Sequence, residues 1–120
     1  MNTLYTVFIV ISIALIGTII YYNHRLRFIP EAEVRSYLSK NRGILVDVRT
    51  IQERIKSNSQ SRSLHLPIDR LVFDLERMIP DKTQLIVFCC KRAIRSEGAA
   101  VIARKLGYNN VSYTGNCEFI

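Results

Sequence analysis

The stretch of this chain best equipped for chemistry is Cys89 to Ser96, CCKRAIRS, where an apolar run gives way to an amphipathic one. A thiol at the carboxyl end of a strand, facing the start of a helix, sees unpaired backbone N–H groups and the positive end of the helix dipole. Lys91, Arg92 and Arg95 add three cationic side chains within the same turn. Together these favour thiolate over thiol and hold an anion beside it, which is the environment of a reactive cysteine. The chemistry expected is attack by a sulfur nucleophile on an anionic substrate. A lone cysteine ending a core strand is more often packing than nucleophile. Here the cluster of cations shifts the reading toward reactivity.

The elements that must position this stretch alternate between helix-like and strand-like patterns from Phe28 onward, which predicts an α/β domain with a largely parallel sheet. Pro30 suits a first helical position, Ala32, Val34, Tyr37 and Leu38 make a helical stripe, and Asn41-Arg42-Gly43 supplies the stop. Ile44 to Val48 reads as a buried strand and Arg49 to Ser57 as a short helix. Asn58 to Ser63 reads as polar loop and Leu64 to Leu66 as a brief strand ended by Pro67. Asp69 is placed to cap a helix carrying Leu71, Val72, Leu75, Met78 and Ile79, broken by Pro80-Asp81. Leu85 to Phe88 is the most apolar strand. Ser96 to Leu106 is an amphipathic helix with Arg104 and Lys105 in its last turn and Gly107 as its stop, and Val111 to Tyr113 is a last strand.

Four segments, in order, resemble the rhodanese-like family: LVDVRT at Leu45 to Thr50, LHLP at Leu64 to Pro67, LIVFCCKRAIRS at Leu85 to Ser96, and AAVIARKLGYNNV at Ala99 to Val111. The resemblance implies a three-layer α/β domain with a central, mostly parallel sheet. In that family a six-residue loop opens on the nucleophilic cysteine, closes on a basic residue, and cradles substrate with its backbone amides. CKRAIR, Cys90 to Arg95, is similar in length and ends. The implied activity is sulfur transfer, with Cys90 taking the outer sulfur of a donor such as thiosulfate and passing it to a thiol or cyanide. Lys91 and Arg92 would draw in the donor, Arg95 would brace the loop, and the backbone from Lys91 through Ala93 and Ile94 to Arg95 would bind the anion. No metal or organic cofactor is implied.

A second register is open. From Cys89, Arg95 follows five intervening residues, the C-x5-R spacing of cysteine phosphatases and related arsenate reductases. The Arg95-Ser96 pair and its helix favour Cys90, whereas Phe88-Cys89 resembles the aromatic-then-cysteine ending of the family's strand. A third reading is a non-catalytic rhodanese fold that binds a partner at a membrane. The sequence departs from the family in carrying NSQSRS where a Gly-His-Ile-Pro-Gly-like motif is usual, Ala93 where the active loop often carries Gly, and Gly115-Asn116 where paired glycines are usual.

Other residues invite blander readings. Asp47 and Arg49, the family's Asp-x-Arg, are expected to be scaffold. Cys117 could resolve a persulfide by pairing with Cys90, but an inconsequential tail thiol is the simpler expectation. His24 and His65 lack partners at zinc spacing. Lys56 and Arg62 read as solvated surface, and Glu97 answers the helix dipole.

Composition bounds the rest. The 120 residues carry 17 Lys plus Arg and 10 Asp plus Glu, a formal charge of +7, and residues 1–23 contain no Lys, Arg, Asp or Glu. Leu4 to Tyr22 is uncharged and long enough to cross a hydrocarbon core of about 30 Å. An uncleaved anchor is favoured over a signal peptide, because no Lys or Arg precedes the run and no small-x-small site precedes His24. The expected organisation is a single transmembrane helix over residues 1–23 and a rhodanese-like domain over 24–120. Arg25 and Arg27 directly after the helix place that domain in the cytoplasm. Its basic balance suits anionic lipid, and nothing in the pattern indicates nucleic acid. Three cysteines, two of them adjacent, make no regular disulfide framework, which excludes a small secreted scaffold and indicates a reducing compartment.

Overall fold

In the computed structural model, which describes residues 2–24, 26–57 and 62–120, an amino-terminal helix α1 (Thr3–His24) leads into an α/β domain. Helix α1 is apolar all round, and its window Thr3–Ile20 has a mean hydropathy of 2.4 with none of it buried against the rest of the chain. It is the one described helix long and apolar enough to cross a membrane. The domain then runs β1 (Arg27–Phe28), α2 (Glu31–Asn41), β2 (Ile44–Asp47), α3 (Ile51–Lys56), β3 (Leu64–His65) and a 3-10 turn Ile68–Arg70. It continues through α4 (Leu71–Met78), β4 (Ile86–Cys90), α5 (Ala93–Lys105), β5 (Val111–Asn116) and a closing 3-10 turn Cys117–Phe119.

The five strands form one sheet of order β1-β5-β4-β2-β3 in which every pairing is parallel. Successive side chains of a strand point to opposite faces, and the two cores follow that alternation. Val46, Phe88 and Cys90 pack with Leu71 and Leu75 of α4 and with Ala99, Ala100 and Ala103 of α5. Leu45, Val87 and Cys89 pack on the other face with Ile29, Val34 of α2, and Cys117. Helices on both faces explain why ILVD and IVFCC are nearly continuous apolar runs rather than alternating ones. Each fully buried leucine, such as Leu71 or Leu75, contributes about 1.5–3 kcal/mol through removal from water.

The expected elements are present, with informative shifts at their ends. Helix α2 stops with Arg42, not Gly43, in the left-handed conformation at φ 51°. Gly43 answers a different need: a Cβ there would lie 2.5 Å from Leu85 Cδ2 and 2.6 Å from Leu38 Cδ2. Gly107 does end α5 as expected, with φ 102° and the Tyr108 N–H returning to the Ala103 carbonyl at 3.1 Å. Asp69 does not cap α4. It lies inside the 3-10 turn, and Arg70 occupies the cap without a side-chain bond. The expected polar loop Asn58 to Ser63 falls largely on 58–61, outside the described residues. Strand β1 was not expected from sequence, because two exposed residues carry no periodicity; it exists through its pairing with Ser112 and Tyr113 of β5.

Candidate active site

Strand β4 extends two residues beyond the expected Leu85 to Phe88 run and ends on Cys90. Cys90 is fully buried, and its thiol is free. The Arg92 N–H donates to its Sγ at 3.1 Å, and the sulfur also sits in close contact with the Arg92 carbonyl oxygen. Lys91 and Arg92 are exposed and α5 starts at Ala93. The segment expected to be a six-residue loop is therefore a two-residue turn followed by the first turn of a thirteen-residue helix. Ala93 and Ile94 contribute helix-start backbone, and the Ile94 side chain is 80% exposed. The arrangement places a thiol against the amino terminus of a helix, whose unpaired N–H groups and dipole favour negative charge.

Arg95, in the first turn of α5, does not point its guanidinium at open solvent. Its Nη1 and Nη2 donate to Oε1 and Oε2 of Glu53 at 2.6 and 2.7 Å, a bidentate pair. The Arg95 hydrogen bonds hold the Glu53 carboxyl down at about 2 against a desolvation penalty, with help from Thr50. Glu53 in turn raises the Arg95 guanidinium, with smaller contributions from the charges of Cys90 and Asp47. Glu53 is also the third helical residue of a capping box: its N–H donates to Thr50 Oγ1 at 3.2 Å and its carboxylate accepts from the Thr50 N–H at 3.3 Å. One carboxylate thus joins the start of α3, after β2, to the start of α5, after β4. Sequence reasoning missed Glu53, although Thr50-Ile51-Gln52-Glu53 carries the capping-box pattern.

Beneath this clamp lies the Asp47–Arg49 pair, both side chains buried. Asp47 Oδ2 accepts from Arg49 Nη2 at 2.8 Å and from Arg54 Nη1 at 3.1 Å, and Oδ1 accepts from the Arg49 N–H at 2.9 Å. The pair fixes the backbone at the end of β2, in keeping with its expected scaffold role. His65 Nε2 donates to the Arg49 carbonyl at 2.7 Å, which occupies the ring in packing. On the far side, Ser96 Oγ donates to the Thr114 carbonyl at 2.5 Å and ties α5 to β5.

The cysteines overturn two expectations. Cys89 and Cys117 form a disulfide across 28 residues, with Cα atoms 5.2 Å apart. Cys117 is fully buried, so it is neither a loose tail thiol nor a partner of Cys90. Cys89 points to the α2 face, opposite Cys90, and its sulfur in the disulfide is no nucleophile. The disulfide runs against the reducing compartment expected from the cysteine count, and the adjacency of Cys89 and Cys90 is what separates the two thiols, because neighbours on a strand face opposite ways. Asp47 lies with Cys89 and Cys117, their ligand-type atoms within 4.8 Å of one another. The disulfide and the two arginines already occupy those atoms.

The profile of the rhodanese-like domain matches residues 31–115, from the start of α2 to the last residue but one of β5. The chain belongs to the rhodanese-like family. Among solved structures, the human single-domain sulfurtransferase TSTD1 is similar at 25% identity and a TM-score of 0.62, covering 72% of this chain and 87% of that one. A Rhodopseudomonas palustris protein of unknown function, described as a possible tyrosine phosphatase, is similar at 20% identity and a TM-score of 0.66, covering 76% and 75%. The thiosulfate sulfurtransferase of Pseudomonas aeruginosa is similar at 22% identity and a TM-score of 0.61, over 74% of this chain and 17% of that one. No curated protein matches the chain.

Proposed function

We propose that this rhodanese-like domain transfers sulfane sulfur through Cys90. The observation that carries the reading is a free thiol at the carboxyl end of the central strand, receiving an N–H at 3.1 Å where α5 begins. The Cys90 thiolate attacks the outer sulfur of thiosulfate. The sulfur–sulfur bond of the donor breaks, sulfite leaves with the bonding pair, and Cys90 carries a persulfide. Cyanide or a thiolate then takes the terminal sulfur and returns the Cys90 thiolate. Lys91 and Arg92, both exposed, attract the dianionic donor, while the Arg92 N–H and the first amides of α5 stabilise the negative persulfide sulfur. Because Cys90 is fully buried, donor entry requires the Lys91-Arg92 turn to swing off the sulfur. Arg95, held by Glu53, braces the turn rather than binding the donor.

We further propose that α1 crosses the membrane once, with the domain on the cytoplasmic side by the rule that positive flanks stay inside. Thiosulfate and a thiol acceptor are the expected partners, along with membrane lipid.

The test is intact mass of the full chain in detergent before and after thiosulfate, in parent, Cys89→Ser and Cys90→Ser forms. Gain of one sulfur that survives Cys89→Ser and vanishes in Cys90→Ser is expected. A parent that gains nothing overturns thiosulfate transfer and leaves phosphate-ester hydrolysis or partner binding as the readings to assay.

A further inference from the structure

We propose that the Cys89–Cys117 pair is a reversible redox latch that fastens the carboxyl-terminal turn beneath the strand bearing Cys90. Its effect on catalysis rests on the sulfur-transfer reading above; its effect on the turn does not. Three observations meet at this point. The disulfide joins β4 to the turn Cys117–Phe119. The last ladder partner of Cys90 is Asn116, the residue immediately before Cys117, and the register of β4 against β5 shifts between Phe88 and Cys90. The irregular part of the ladder is therefore the part the disulfide spans.

Besides the disulfide, the turn is attached by the partly buried Ile120, which packs on the α2-face core, and by three polar contacts. The Asn116 N–H donates to Glu31 Oε1 at 2.9 Å, Arg35 Nη2 donates to the Ile120 carbonyl at 2.8 Å, and Glu118 approaches Arg49 at 3.8 Å while 43% exposed. Phe119 is 69% exposed. Of the three polar contacts only Glu118–Arg49 is an ion pair, and with its carboxylate half in solvent it contributes little; the two hydrogen bonds add modestly, so the covalent bond is the strongest single tie.

Both sulfurs are fully buried, and a reductant reaches them when the terminal turn lifts. Opening then consumes two equivalents of a low-molecular-weight thiol. The first thiolate attacks one sulfur and forms a mixed disulfide as the other sulfur leaves. The second thiolate releases the remaining protein thiol and gives the small-molecule disulfide, with two protons taken up by Cys89 and Cys117. Closure by a disulfide oxidant is the reverse. Opened, the pair leaves two thiols buried against the Asp47 carboxylate, and the ladder at Cys90 rests on hydrogen bonds alone.

The experiment equilibrates the full-length chain in detergent micelles with reduced and oxidised glutathione at a series of ratios. At each ratio three quantities are read: thiols alkylated after denaturation, counted by mass; the melting temperature; and, after removal of glutathione, sulfur transfer from thiosulfate to cyanide. Cyanide is the acceptor so that no thiol enters the assay. The count is expected to pass from one thiol, Cys90, to all three cysteines. Over the same ratios melting falls by about 8 °C or more and transfer falls roughly tenfold through misplacement of the nucleophile. Reoxidation restores all three. Cys117→Ser is expected to count two thiols at every ratio and to melt and transfer as the reduced parent does. Three thiols at every ratio, one thiol at every ratio, or melting that ignores the count each overturn the latch. A parent that transfers no sulfur in either state defeats the catalytic reading, while the thiol count and the melting shift still decide the latch.

Discussion

Two neighbouring cysteines on one strand live in different chemistry. On the α5 face, Cys90 is free, receives a backbone N–H and lies beside a helix start. On the α2 face, Cys89 is packed among Ile29, Val34, Leu45 and Val87 and bonded to Cys117. The residue type is the same and the burial is the same; only the direction of the side chain differs, and that direction is set by the two-residue period of a strand. Whether the sulfur is free or bonded therefore belongs to the face rather than to the residue. A one-residue slip of β4 would exchange the two environments, so the register that pairs Asp47 with Cys89 also decides which thiol is free.

The contrast breaks most sharply with paired substitutions. Cys90→Ser should lower sulfur transfer by about 10³-fold or more while leaving melting within a few degrees of the parent. Cys89→Ser should do the opposite, lowering melting by about 8 °C or more through loss of the disulfide and keeping measurable transfer. Activity assays beside thermal melts check both, and transfer that dies only with Cys89 would reverse the assignment of the faces.

Next in size is the clamp. Glu53→Gln keeps the shape and capping capacity of the side chain but removes the ion pair with Arg95. Transfer should fall roughly tenfold, with Arg95→Lys falling less than Arg95→Ala because one donor pair remains. Measured kcat should carry the loss if Arg95 positions the turn, and KM if it binds donor.

A smaller effect is a pH dependence. Glu53 is held at about 2 in the folded chain against 4.5 for the free group. A depressed carboxylate stabilises the fold fully above its unfolded pKa and ceases to do so as pH falls through the folded one. Denaturant midpoints should accordingly drop between about pH 4.5 and pH 2 in the parent, and drop less over that window in Glu53→Gln. The smallest expected effect is ionic. KM for thiosulfate should rise severalfold between low salt and about 0.5 M salt as the field of Lys91 and Arg92 is screened, and a flat profile would remove their steering role.

Much of this arrangement was legible in the sequence. The apolar runs read at Ile44 to Val48 and Leu85 to Phe88, the Gly107 stop and the cationic stretch after Cys90 follow local rules that need no tertiary knowledge. The misses share a cause. The partner of Cys89 lies 28 residues away, and no local pattern tells which of two adjacent thiols turns toward it. Strand β1 is two residues long and exists only because β5 offers it an edge. Glu53 was legible as a cap but not as the partner of Arg95, 42 residues on, because the sheet must first set β2 beside β4.

The all-parallel sheet gives the site a direction of approach. Helix α1 hands the chain to the sheet at the beginning of β1, and Arg27 lies in the same row as Ser112 and Val87. Cys90 stands three residues further along the same strand direction, about 10 Å at roughly 3.3 Å per residue. The chain therefore enters the sheet at the amino ends of its strands, and the free thiol lies at the opposite, carboxyl end.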